Sequence, residues 1–100
     1  MKVLWVMCNE SLSQDVREIL DEVDSIEGYT VWSGLYGADR KDRTARWGDS
    51  VWPGFNWAFW VTGEEADLAP LIERLKRLKE TDMAKLAGIK AWVQDIDPVI

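Results

Sequence analysis

The sequence predicts an α+β domain, a four-stranded antiparallel sheet with two helices on one face. Three observations carry that prediction. Four short runs are rich in strand-forming apolar residues. Two longer stretches repeat apolar residues at helical spacing. The six segments follow one another in the order β-α-β-β-α-β.

The first strand is Val3 to Cys8 (VLWVMC). Ser11 and Gln14 then form an S-x-x-Q capping box. Leu12, Val16, Ile19, Leu20 and Val23 follow at spacings of 4, 3, 1 and 3, one face of a helix expected to end near Glu27 and Gly28. Tyr29 to Tyr36 (YTVWSGLY) reads as the second strand and Asn56 to Thr62 (NWAFWVT) as the third. The connection between them, Gly37 to Gly54, is long for a compact domain, and long loops are usually functional or mobile. Gly63 closes the third strand. Leu68, Leu71, Ile72, Leu75 and Leu78 mark the second helix, with Pro70 expected in its first turn, where a helix tolerates it. Arg74, Lys76, Arg77 and Lys79 cluster toward the C-terminus of that helix, where the macrodipole favours cations. Gly88 to Ile96 (GIKAWVQDI) is the fourth strand. This order is the split arrangement of the ferredoxin-like fold, and residues 1–100 are read as one such domain.

Composition narrows the function. A chain of 100 residues with 47% hydrophobic and 30% charged side chains has the balance of one globular domain. No apolar run approaches the roughly 18 residues of a membrane span, so no membrane insertion is expected. The opening MKVLWVMCNES has one lysine and no small-residue cleavage site, which reads as a strand rather than a signal peptide. A cytoplasmic location is expected by default. Cys8 stands alone, so no internal disulfide forms. Histidine is absent, which removes the usual general base and the commonest metal ligand. A net charge of −6 argues against nucleic-acid binding through phosphate neutralisation. Against that acidic background, Gly37 to Ser50 carries Arg40, Lys41, Arg43 and Arg46 opposite Asp39, Asp42 and Asp49. A mildly basic loop of this kind suits a small anion or an acidic partner as well as simple solvation.

Strand residues alternate between faces. The more aliphatic set faces the helices: Leu4, Val6 and Cys8; Val31 and Leu35; Trp57, Phe59 and Val61; Ile89, Ala91 and Val93. The opposite face then receives Trp5, Trp32, Trp60 and Trp92, one from each strand. A bulge would flip members of this set. Laid open, four indole side chains amount to ~600–1,000 Å², above the ~300–600 Å² typical of a monomer's largest apolar patch. Both helices are already used, so other subunits are expected to cover this face. An open sheet offered to a large flat ligand is the alternative.

The segment GDSVWPGFNWAFWV (Gly48 to Val61), followed by AGIKAWVQDI (Ala87 to Ile96), resembles a divergent, tryptophan-bearing branch of the PII-like signalling proteins, a superfamily that includes CutA. The likeness extends over the whole chain by element order. It implies a homotrimer whose sheets face one another, and a small anionic or nucleotide effector held in clefts between subunits. It also implies a long loop, the T-loop, that reports the effector to a membrane transporter or an enzyme. Here that loop is Gly37 to about Trp52. The resemblance puts effector contacts at Tyr36, Gly37, Arg46, Trp47, Gly48 and Trp52, with Lys85 or Lys90 from the last strand region. Arginine supplies a fork for phosphate or carboxylate, and tryptophan can stack on a base. The chain departs from the family at ETDMAKLAG (Glu80 to Gly88), where a Gly- and Lys-rich phosphate cradle would stand and only one of each is present. No catalysis and no cofactor are expected. Two rival readings are a small cofactor-free monooxygenase on the same architecture and a CutA-like metal-binding protein. Three chains in solution favour the regulator and two the oxygenase.

Overall fold

The computed structural model describes residues 1–37 and 55–100. Strand β1 is Lys2–Asn9, followed by a 3-10 turn, Glu10–Leu12, and helix α1, Ser13–Glu22. Strands β2 (Thr30–Leu35) and β3 (Asn56–Gly63) lead to α2 (Glu65–Lys79), a short α3 (Asp82–Ala87) and β4 (Ile89–Asp95). The sheet order is β2-β3-β1-β4, and every pair is antiparallel. This is the ferredoxin-like α+β arrangement the periodicity predicts.

The core lies between sheet and helices. Leu4, Val6, Phe59 and Val61 from the central strands pack against Leu12, Val16, Leu68 and Leu71, all at 0–1% exposure. The central strands supply the most buried positions because they have neighbours on both sides. Edge positions differ. Ala91 and Val93 lie opposite Val6 and Leu4 and so occupy helix-facing positions, but the helical layer stops short of β4 and leaves Val93 43% exposed. They face the helices as expected, but facing them does not bury them here.

Local chemistry moves several boundaries. Asn9, not Ser11, caps the first helical turn: its side chain accepts from the Ser11 N–H at 3.0 Å and the Ser11 hydroxyl at 2.7 Å. Gln14 donates to Glu18 instead of closing a capping box. Helix α1 ends at Glu22 because buried Val23 turns extended. Soon after, the Ser25 hydroxyl donates to the Asp67 carbonyl at 2.6 Å, tying the exit to α2. A capping box forms at Glu64 and Asp67. It starts α2 at Glu65 and places Pro70 in the second turn rather than the first. Proline there leaves the Ala66 carbonyl without its helical donor; both residues are exposed, so water can serve it. The stretch between α2 and β4 contains α3, capped by the Thr81 hydroxyl on the Ala84 N–H at 3.3 Å and stopped by Gly88 at φ 93°.

A bulge in β2 re-aims the chain before the long connection. Trp32 pairs with Ala58, but Leu35, not residue 34, pairs with Asn56. The extra residue is accommodated at Gly34, whose φ is 69°. Leu35 therefore shares the face of Asn56, Ala58 and Trp60, and its expected helix-facing position is corrected by the bulge. Nothing lies within 4 Å of a Cβ added at Gly34, so Gly34→Ala tests the backbone alone. It is expected to lower the unfolding free energy by about 1–2 kcal/mol, the cost of a left-handed residue, in a urea titration. An unchanged midpoint would contradict this account of the bulge.

Candidate functional site

The two features singled out in the sequence, the loop base and the tryptophans, lie at one end and on one face of the sheet. At the loop base, Asn56 pairs with Leu35 on one side and Asn9 on the other. Tyr36 meets Phe55 edge to face at 4.7 Å. A Cβ at Gly37 would run into the Asn56 side-chain amide, so a larger residue there requires that amide to swing aside. The Glu10 N–H donates to the Phe55 carbonyl at 2.7 Å, and the Asn9 N–H to the Gly88 carbonyl at 3.1 Å. These bonds tie the loop base to the turn that starts β4.

Lys85 projects from α3, largely exposed and 3.9 Å from Glu80. Lys90 stands opposite Met7 at the start of β4, on the tryptophan face by register. Tyr36 and Gly37 follow edge strand β2, whereas Lys90 is on the other edge. Three strand spacings, about 14 Å at the usual separation, lie between them. One chain gathers these residues at one end of its sheet but not around a common point. Arg46, Trp47, Gly48 and Trp52 lie outside the described residues, as do Asp39, Asp42 and Asp49.

On the helix-free face, Trp5 is directly opposite Trp60 and Trp92. Trp32 reaches across β3 to stack on Trp5, with ring centroids 6.0 Å apart and planes at 23°. The Trp5 Nε1–H donates to Gln94 at 3.3 Å. The indoles roof over Val3 and Ala58, which are only 1% and 2% exposed although no helix covers them. Trp32 and Trp92 remain 44% and 48% exposed. All four predicted tryptophans therefore share one face.

The sequence reading missed one polar detail. Trp57 packs against the core and lies 6.2 Å from Phe59, but its Nε1 is buried with no hydrogen-bond partner among the described residues. No sequence signal marks this, because the alternation pattern treats indole as apolar.

Cys8 is buried in the core. Burial, reinforced by the Asp15 charge, pushes its thiol from the ordinary 9.0 up to about 12. A raised value means the fold favours the neutral thiol. That contribution is complete below pH 9.0 and is lost as pH rises toward about 12. Native protein at pH 8 is therefore expected to react with a disulfide reagent about a thousandfold more slowly than the unfolded chain. Equal rates would contradict the buried thiol. Among the described residues no group of three or more His, Cys, Asp or Glu side chains is arranged to hold a metal.

A ferredoxin-like sheet with one helix-covered face and one bare face is the fold shared by the PII-like signalling proteins, and known structures match this chain over nearly its whole length. CPII from Thiomonas intermedia K12, bound to ADP and bicarbonate, superposes with a TM-score of 0.71 at 18% identity, covering 95% of this chain and 84% of that one. The apo form of CPII, a nitrogen regulatory PII-like protein, gives 0.67 at 18% identity over 95% and 87%. A DUF3240 family protein from Shewanella baltica OS155 gives 0.64 at 16% identity over 95% and 89%. At these identities the likeness is one of fold. No family model and no curated protein matches the sequence. Among the described residues no helix is long and apolar enough to cross a membrane.

Proposed function

We propose that this chain is a non-catalytic, cytoplasmic regulatory protein of the PII-like kind. It assembles as a homotrimer through the tryptophan face and senses a small anionic effector in a cleft between subunits. Residues 37–52 pass the signal to a transporter or an enzyme. The observation that carries this reading is the bare face itself: four indoles, one per strand, with two of them nearly half exposed and no described element to cover them. Burial between copies stabilises by about 25 cal/mol per Å² of apolar area, which favours closure of that face.

The separation of Tyr36 and Gly37 from Lys90 fits the same reading. Residues on opposite edges of one sheet complete a single site when a neighbouring copy brings its own edge alongside, as a head-to-tail ring does. Arg46 supplies the fork for a phosphate or carboxylate, Trp47 or Trp52 an aromatic surface to stack on a base, and Gly48 a residue without a side chain to obstruct the ligand. Lys85 and Lys90 add positive charge at the same end of the sheet. The CPII structure holds ADP and bicarbonate, and both are the first effectors to test here.

The test is calorimetric titration and thermal shift with ADP and bicarbonate on wild type, Arg46→Ala and Trp47→Ala. A ligand at a hundred times its dissociation constant is expected to stabilise the folded state by about 2.7 kcal/mol. The substitutions should remove that response while leaving the oligomer intact. No response of the wild-type oligomer to either compound, or loss of the oligomer with ligand affinity unchanged, contradicts the cleft.

A further inference from the structure

We infer that Lys76 and Lys79, in the last turns of α2, belong to the effector cleft and select an effector with several negative charges over a monoanion. This rests on the cleft between subunits proposed above, and adds to it two residues and a charge class.

Placement comes first. The Asn9 N–H bonds the Gly88 carbonyl, so β4 begins at the end of the sheet that carries the loop base. A cavity of about 250 Å³ opens there between the end of α2 and the outer edge of β4, with Leu75, Lys76, Lys79, Ile89 and Lys90 among its walls. β4 pairs only with β1. The cavity therefore borders the edge beside which a head-to-tail ring sets Tyr36 and Gly37 of the neighbouring copy. Its volume is below the ~300 Å³ at which sites for whole small molecules begin. It suits the charged group of an effector, with the remainder held against the neighbouring copy.

Charge sets the class. Lys76 and Lys79 are exposed and three residues apart, so they project from the same side of α2. They stand on the helix side of β4, whereas Lys90 is on the tryptophan side by register. An anion at the edge of β4 is thus flanked from both sides. None of these three lysines has an ion-pair partner among the described residues, while Lys85, at the same end, is paired with Glu80. Farther along β4 a second cavity carries Glu65 and Asp95, with Lys2 already held by Asp95. That end repels an anion, so the charged group belongs beside Lys76 and Lys79. A single exposed lysine attracts an anion only weakly. A monoanion such as bicarbonate gains little from such a set, whereas a chain of phosphates meets several of the lysines at once.

The test is calorimetric titration of the full chain, in its native oligomeric state, with AMP, ADP, ATP and bicarbonate. The three nucleotides share one body and differ in charge. Wild-type affinity is expected to rise from AMP to ATP. Lys76→Gln combined with Lys79→Gln keeps much of each aliphatic stem and removes the charge. It should weaken ATP by about tenfold or more, equivalent to at least 1.4 kcal/mol, flatten the rise along the series and leave bicarbonate affinity unchanged. Light scattering should show the same oligomer, since both lysines lie off the tryptophan face. A double variant that binds ATP as tightly as wild type overturns the inference and leaves the cleft standing. Equal weakening of AMP and ATP does the same, because it marks a structural disturbance instead of a charge contact. Wild type that binds bicarbonate but no nucleotide overturns the charge class. Wild type that binds none of the four overturns the cleft and this inference together.

Discussion

Phe59→Ala is expected to lower the unfolding free energy by about 3–5 kcal/mol, the usual cost of removing a fully buried phenyl ring. Phe59 is 0% exposed on the central strand β3, opposite Val6 of β1 and Val31 of β2. Tyr29 and Trp57 lie with their rings 6.3 and 6.2 Å from it. An alanine leaves a void that strands paired on both sides cannot easily collapse into. Small domains have only about 5–15 kcal/mol of stability in total, so much of the variant should unfold in dilute urea. Val93→Ala provides the contrast. Val93 carries the same alternation signal but is 43% exposed, and its loss should fall within about 1 kcal/mol. Both are read at one protein concentration, because assembly would contribute to apparent stability. A loss below 1 kcal/mol at Phe59 would contradict the assigned core.

Trp32→Glu is expected to dissociate the assembly while leaving each chain folded. Trp32 is 44% exposed on edge strand β2 and stacks on Trp5. In a lone chain a carboxylate at this position stays in water. In a closed assembly it would be buried once per copy without a cation, at a cost of several kcal/mol each. Loss of the indole adds to this, since an aromatic side chain contributes ~150–250 Å² of burial. Sedimentation at micromolar concentration should therefore give the single-chain mass with an unchanged far-ultraviolet spectrum. A variant that sediments like the wild-type assembly would place the contact elsewhere.

Much of the fold was legible because its signals are local and periodic. Period-two alternation in VLWVMC and NWAFWV located the central strands and put the tryptophans on one face. Helical spacing from Leu12 to Val23 and from Leu68 to Leu78 located α1 and α2. What escaped depends on competition or on tertiary reach. Asn9 outcompetes Ser11 as the cap, a choice between two good capping residues. Gly34 introduces a bulge that a glycine in a strand only hints at, and this turns Leu35 to the other face. Val93 looks like core by pattern, but only the lateral extent of α2 decides whether a helix covers it. α3 is short, and its capping threonine is as common in loops.

The candidate site was legible in part. Tyr36, Gly37, Lys85 and Lys90 do gather at one end of the sheet, though on different elements. Periodicity could not reveal that β3 and β1 separate Tyr36 from Lys90, because strand order is not written in any local pattern. Arg46, Trp47, Gly48 and Trp52 lie outside the described residues, so their roles rest on the chemistry of their side chains. The Lys76 and Lys79 pair was accounted for by the helix dipole.

The central claim is that the tryptophan face is an interface between copies of this chain. Light scattering on the wild-type protein, taken through a micromolar dilution series, tests it most directly. One chain weighs 11.5 kDa. A particle of three chains that persists on dilution is the result this account predicts. A single-chain mass that stays constant across the series would contradict it.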